Sequence, residues 1–356
     1  MNYVGLDVHA RQSTFHILDE NGKKVATRAV HGTERTVIKE LAKIKRPMSI
    51  CYEASCSYGF LHDQLCAIAD HVVVAHPSKL RAIFSSKRKN DRVDAAMLAK
   101  LLMLDMVPAV HVPCPDVRAW RRMITHRRSM VDDRTAIKNA LRALLRTLGV
   151  EAPRSLWSKK GLAWLAGLEF DNTLDAIQRD EMVERLGTLQ GGIRRVEDEL
   201  NKTGRAHPGV ALLMTIPGVG PRTAEAAVAY IDDPTRFRNN KTVGAYFGLV
   251  PCQDASAAKN RLGHITADGP AVVRRMLTEA RPPEASGVRV AWQGIRRSPR
   301  IRAYYERIAR GKDNRKKIAV VATMHYLIRV MHAMLLNGEQ WRAEPARRSH
   351  AADRAA

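Results

Sequence analysis

The chain has 356 residues, with 59 Lys and Arg against 36 Asp and Glu, a formal net charge of +23 at pH 7. With 45% hydrophobic and 27% charged residues it is globular rather than wholly disordered, and its length suits about two or three domains. The start carries no secretory signal pattern, and five cysteines without a CxxC pair indicate neither a disulfide framework nor a zinc site, so a reduced, soluble, cytoplasmic protein is expected.

The first 105 residues have a readable order. Tyr3 to His9 and Ser13 to Leu18 read as strands, and Asn21-Gly22 is a two-residue hairpin turn leading to a third strand from Lys24 to Val30. Val37, Leu41 and Ile44 give helical spacing between Thr33 and Lys45. Met48 to Glu53 reads as a strand, Gly59 to Ala69 as a helix, the valine run His71 to Ala75 as a buried strand, and Asp91 to Leu104 as a helix. Three strands in a meander followed by helix, strand, helix, strand, helix is a ribonuclease-H-like α/β layout.

From Arg118 to Leu148 the pattern becomes long helix, with Met123, Met130, Ile137 and Leu144 recurring every seven residues, joined by Trp120, Leu141 and Leu148. Val183, Leu186, Leu189, Ile193, Val196 and Leu200 follow a similar rhythm. Together they predict an antiparallel coiled-coil connector or an ordinary helical bundle, which periodicity does not separate. A mainly helical domain follows, in which Ile318 to Leu336 carries His325, Arg329 and His332 on one face and reads as a core helix rather than a membrane span. The expected division is 1–110, 111–205 and 206–341, with 342–356 a tail without fixed structure.

The positive charge is concentrated. Between Arg118 and Lys160 there are 12 basic and 3 acidic residues, and between Arg296 and Arg329 there are 11 and 2. Two such zones point to a polyanionic partner, and Arg118, Arg121, Arg122, Arg127, Arg128, Arg134 and Lys138 are candidates for backbone contact. Aromatic residues make up only 5% of the chain, which argues against broad base-stacking platforms.

Four acids run against this background. Asp7 sits inside an apolar strand, where a carboxylate is costly to bury without compensation. Glu53 ends the fourth strand, and Asp91 and Asp94 lie three apart at a helix start, on one face. In a ribonuclease-H-like sheet the first and fourth strands are neighbours and the last helix crosses their ends, so the four converge. Such a cluster needs cations, and oxygen-only ligands suit Mg²⁺ or Mn²⁺. Taken singly, each acid has a local reading, Asp7 as an edge-strand residue and Asp91 as a helix N-cap.

Near the C-terminal half, Ile216-Pro217-Gly218-Val219-Gly220 lies between two apolar helical stretches. Gly218 and Gly220 would open backbone N–H groups to a phosphate, in the manner of helix-hairpin-helix motifs, or form a plain tight turn. Further on, Cys252 to Gly263 reads as a loop with one serine, Ser256, followed by Lys259 and Arg261. That serine is either a solvated loop residue or a nucleophile whose phosphate the basic pair screens.

In order along the chain, Gly5-Leu6-Asp7-Val8-His9, Tyr52-Glu53-Ala54, Lys89-Asn90-Asp91-Arg92-Val93-Asp94-Ala95, Ile216-Pro217-Gly218-Val219-Gly220 and Gly248-Leu249-Val250-Pro251 resemble the DEDD transposases of the insertion sequence 110 family, the bridge-RNA-guided recombinases. The resemblance runs from Met1 to about Leu336. It implies a RuvC-like domain with Asp7, Glu53, Asp91 and Asp94 as ligands of Mg²⁺ or Mn²⁺, and a C-terminal transposase domain with a catalytic serine. The family pattern Ser-Ser-Gly-Gly-Lys ahead of Arg-Leu-Gly aligns its nucleophile on Ser256, with Ala255, Ala257 and Ala258 where the family has serine and two glycines.

The resemblance further implies recombination of donor and target DNA through a phosphoserine intermediate, guided by a structured noncoding RNA. It implies assembly as dimers and tetramers in a prokaryotic cytoplasm on nucleoid DNA. Two other classes fit parts of the pattern. A metal-dependent nuclease or junction resolvase would use the same acids with water, and a non-catalytic nucleic-acid scaffold would need only the basic helices.

Overall fold

The structure, a computed structural model, describes residues 1–55, 57–83, 90–256, 259–278 and 290–343. Lys89, Ala257, Ala258 and the tail from 344 onward lie outside the described residues. The chain divides into two compact units, Met1–Arg118 and Ala119–Ala356. The first is mixed α/β and the second mainly helical.

Unit one is built on a five-stranded sheet. Strands β1 (Asn2–Val8), β2 (Gln12–Leu18) and β3 (Lys24–His31) form the antiparallel meander. Its tight turn places Gly22 at φ +76°, a region open to glycine, while the Asp19 carboxylate accepts the Asn21 and Lys23 N–H groups. Helix α1 (Glu34–Leu41) leads to β4 (Met48–Glu53), and α2 (Tyr58–Cys66) leads to β5 (His71–Ala75). Helices α3 (Pro77–Ile83) and α4 (Asp91–Met103) complete the unit. The sheet order is β3-β2-β1-β4-β5, with β4 parallel to both β1 and β5. The expected neighbours, first and fourth strands, are therefore side by side. Helix α3 was not predicted because it buries none of its residues and so leaves no apolar period to read.

The side-chain alternation of β1 sorts its residues between two cores. Val4 and Leu6 pack with Phe15, Ile50, Val37, Leu41 and Leu61 on one side. On the other, Tyr3 joins Cys51, Leu98 and Leu102 beneath α4. Gly5 and Asp7 share this second side.

Unit two contains two long helices, α5 (Pro115–Thr147) and α7 (Thr173–Ala206), joined through α6 (Lys159–Ala166). They run antiparallel: Arg127 pairs with Glu197, and Ile137 shares a core with Leu186. On α7 the predicted line holds, with Leu186, Ile193 and Leu200 buried at seven-residue intervals. On α5 it shifts. Ile137, Trp120 and Leu141 are buried as expected, but Met123 is 37% exposed and Ile124, Val131 and Leu145 are buried off the line. The first part of α5, with Trp120 and Ile124, belongs to the core of the C-terminal helices, and only the later part shares a core with α7. One seven-residue seam does not serve both neighbours.

Helices α8 (Pro208–Met214), α9 (Pro221–Ile231) and α10 (Asn240–Tyr246) precede a hairpin of β6 (Pro251–Ser256) and β7 (Lys259–Ile265). Then come α11 (Ala271–Thr278), α12 (Val290–Arg297), α13 (Pro299–Ala309) and α14 (Lys316–Asn337). By length and composition α14 is apolar enough to cross a membrane. Its Ala319, Met324, Leu327, Ile328 and Met331 instead lie in the core around α9.

That core also holds an acid. Glu225, 1% exposed, is paired to Arg222 at 2.8 Å, and burial pushes its carboxyl up to about 7. Its ordinary value is 4.5, so the folded chain keeps a proton that the unfolded chain releases. The resulting stabilisation is complete below pH 4.5 and is lost as pH rises through 7. Glu225→Gln is expected to flatten this part of the curve of unfolding free energy against pH, by about 1–3 kcal/mol between pH 5 and 8 in denaturant titrations.

Candidate active site

Gly5 decides where the acids meet. A Cβ there would overlap the Ala95 carbonyl and the Ala99 amide of α4 and sit 2.9 Å from the Leu98 Cβ. Only a residue without a side chain lets the helix lie this close to β1. The helix opens on Asn90, whose side chain accepts the Arg92 N–H at 3.0 Å. Asn90 rather than Asp91 is therefore the N-cap, and the Asp91 carboxylate is left free of that role. Asp91 and Asp94 stand in the first turn, at the end of β1.

Asp7 and His9 are two apart, so both project toward this turn. His9 Nε2 lies 3.2 Å from Asp7 Oδ2 and 3.8 Å from Asp91 Oδ1, and one ligand atom from each residue falls within 4.8 Å of the others. Burial raises the Asp7 carboxyl above its usual range; His9 opposes that, while the charges of Asp91 and Asp94 add to it. Asp7, Asp91 and Asp94 are thus brought together. Glu53 is one strand away: Leu6 pairs with Tyr52 in parallel register, which puts Asp7 and Glu53 next along on the α4 side. Its carboxylate lies outside the tight Asp7–His9–Asp91 group.

This is a donor set for a hard divalent cation. Carboxylate oxygens suit Mg²⁺ or Mn²⁺, and a cation there would offset the burial and the like charges that raise the Asp7 carboxyl. His9 was missed in the sequence reading as a member of the group. Its position two residues after Asp7, just past the end of β1, is the available signal.

The stretch carrying Ser256, expected as a loop, is a hairpin. Ser256 is the last residue of β6 and pairs with Lys259 across the ladder, while Asp254 pairs with Arg261. Leu262 is exposed, as are Pro251 to Asp254, and the sequence of the hairpin has no apolar alternation to mark it as strand. The base of the hairpin is fixed more firmly. Thr266 donates its N–H to Val250 at 2.9 Å, and the Arg274 guanidinium donates to the carbonyls of Phe247, Ala267, Asp268 and Gly269.

At the glycine motif, Gly220 is the N-cap of α9, and a Cβ there would meet nothing within 4 Å. Gly218 has a different role. Its φ is +92°, and a Cβ would press on Gln293 and Gly294 of α12.

The basic candidates do not form one exposed stripe. Arg118 is corrected: it is 9% exposed and donates to the Pro113 carbonyl and to Asp63 of α2, all within the first unit, so its guanidinium is committed to internal acceptors. Arg121 donates to the Ala229 carbonyl near the end of α9 and lies over the Tyr230 ring. Arg127 pairs with Glu197 and Arg128 with Asp132, while Lys138 lies over the Trp157 ring. Arg134 is half-buried, and of the seven only Arg122 is exposed. Arg261 is also exposed.

Comparison with known families agrees over both units. A DEDD transposase model, described as Transposase, matches residues 4–149, and one described as Transposase IS116/IS110/IS902 family matches residues 210–306. The y4pF/y4sB protein of Sinorhizobium fredii, named as a transposase, is 25% identical over 85% of this chain and 78% of its own. The transposase for insertion sequence element IS1111A of Coxiella burnetii is 26% identical over 77% of this chain and 75% of its own. That for IS1328 of Yersinia enterocolitica is 23% identical, over 78% and 81% respectively.

Proposed function

Because the chain belongs to the IS110 family of transposases, whose members cut and join DNA, we propose that it moves an insertion sequence by serine chemistry under the guidance of a bridge RNA. In this reading unit one is a RuvC-like, ribonuclease-H-like domain, and Asp7, Glu53, Asp91 and Asp94 hold Mg²⁺ or Mn²⁺. The observation that carries it is the meeting of Asp7 with Asp91 and Asp94, made possible by Gly5. Bound there, the cations would offset the negative charge of the cluster and polarise a scissile phosphate.

Ser256 is the nucleophile in this reading. Its Oγ attacks phosphorus, a P–O bond to a deoxyribose oxygen breaks, and that oxygen leaves with a proton as a free hydroxyl. The phosphoester is retained in the serine adduct, so a second DNA hydroxyl reverses the step on a new strand without an external energy source. Lys259 and Arg261, on the facing strand of the hairpin, supply positive charge near the attacked phosphate. The paired long helices serve as a coiled-coil connector. The turn at Gly218 and Gly220 acts as a helix-hairpin-helix-like backbone grip, with Gly220 facing open space. Arg122 leads the exposed candidates for nucleic-acid backbone, and the protein works as a homodimer or tetramer.

The test is a protein–DNA adduct on denaturing gels, with the full chain, its guide RNA, substrate DNA and Mg²⁺. Wild type is expected to give a protease-sensitive adduct, and Ser256→Ala none, with cleavage at least about 10³-fold slower. If Ser256→Ala cuts at the normal rate, water is the nucleophile and the serine chemistry is wrong. If recombination is unchanged without RNA, the guidance is wrong.

A further inference from the structure

We propose that His9 is a direct metal ligand through Nε2, making the centre a mixed oxygen–nitrogen site that prefers Mn²⁺ to Mg²⁺. The inference rests on the reading of Asp7 and Asp91 as ligands and adds a donor of a different kind. His9 stands just past β1, two residues from Asp7, and its ring lies beside the Asp7 carboxylate. Adjacent donors in an octahedral shell with bonds of about 2.1 Å are separated by about 3 Å, and opposite ones by about 4.2 Å. The separations of 3.2 Å to Asp7 and 3.8 Å to Asp91 fall in that range. The Asp7 and Asp91 oxygens lie within 4.8 Å of each other, so a side-chain adjustment of some tenths of an ångström lets one ion touch all three residues. The His9 side chain is 47% exposed, which leaves the ring room to turn onto an ion.

The consequence is one of metal choice. Carboxylate and water ligands suit Mg²⁺, whereas an imidazole nitrogen suits transition metals and is a poor partner for Mg²⁺. Replacing one oxygen position by nitrogen thus shifts preference toward Mn²⁺ without changing the charge brought by the acids. The competing role for His9 is a cation that holds Asp7 and Asp91 by ion pairing, which would place it against metal binding rather than in it.

The experiment uses the tag-free full chain with Mn²⁺ as the probe. Electron paramagnetic resonance measures stoichiometry and affinity, echo modulation detects a directly bonded ¹⁴N, and Mg²⁺ competition gives the preference. The expected result is histidine nitrogen modulation in wild type. His9→Gln is expected to abolish it and lower the Mn²⁺ over Mg²⁺ preference by at least about tenfold. His9→Asp is expected to keep Mn²⁺ bound without the modulation and to improve Mg²⁺ binding. Because His9 is exposed and outside the strand, His9→Gln should melt as wild type does, whereas His9→Asp, which adds a carboxylate beside Asp7 and Asp91, should melt lower in chelator and recover with Mn²⁺. Mn²⁺ bound without nitrogen modulation, and with a preference that His9→Gln leaves unchanged, overturns the proposal while the acidic centre stands. If Asp7→Asn does not weaken Mn²⁺ binding, the acidic centre itself fails, and His9 with it.

Discussion

Asp7→Asn is expected to reduce DNA cleavage and strand transfer by at least about 10³-fold while leaving the melting temperature unchanged or raised, measured with metal chelated. The two halves of that result have different causes. The Asp7 side chain is only 18% exposed and meets the charges of Asp91 and Asp94, so its ionised form is disfavoured in the folded state. Its carboxyl titrates above the ordinary value, and so its ionisation subtracts from stability as pH rises. Asparagine keeps the shape and removes the charge, which relieves both repulsions. A residue held for structural reasons would show the reverse, with lower stability and intact chemistry. Gel-based cleavage assays and thermal melts in chelator separate the two.

Gly5→Ala is expected to cost about 1–3 kcal/mol or more in unfolding free energy and to abolish activity even where the variant folds. The added methyl group would overlap the Ala95 carbonyl and Ala99 amide, which are backbone atoms and cannot turn aside. Helix α4 must then move off β1. Asp91 and Asp94 ride on the first turn of that helix, so the shift separates them from Asp7. Gly220→Ala provides the contrast: nothing lies within 4 Å of its Cβ position, and φ is −94° there. It should change stability by less than about 1 kcal/mol. Denaturant unfolding and metal-dependent cleavage, measured on both variants, test the pair.

Much of the acidic centre was legible because its signals are local. An acid inside an apolar strand and two acids three apart after Asn90 are visible within a few residues. The strand and helix periods then indicate which faces they share. His9 escaped that reading because a histidine after a strand end has many ordinary roles. Only its distances to Asp7 and Asp91 single it out. The hairpin holding Ser256 is not legible in the sequence, because Gln253, Asp254, Ala255 and Ser256 lack the alternation by which strands announce a buried face.

The basic zone shows the opposite limit. Charge density along α5 suggested seven residues available to nucleic acid, and the count of Lys and Arg was right. Their availability was decided elsewhere in the chain. Arg118 is met by Asp63, 55 residues away, Arg127 by Glu197, 70 residues away, and Arg121 by the carbonyl of Ala229, 108 residues away. A guanidinium satisfies whichever acceptor packing brings to it, and no pattern within one helix encodes that acceptor.

By itself, the sequence determined the five strands and all but one of the helices of the first unit, the positions of the four acids on them and the family to which the chain belongs. All of these rest on short-range periodicity or on residue identity. Tertiary structure alone decided that Gly5 admits α4, that His9 joins the acids, and that most of the arginines at the start of α5 are committed to internal partners. These depend on close approach between segments far apart in the chain, where a single Cβ or acceptor sets the outcome.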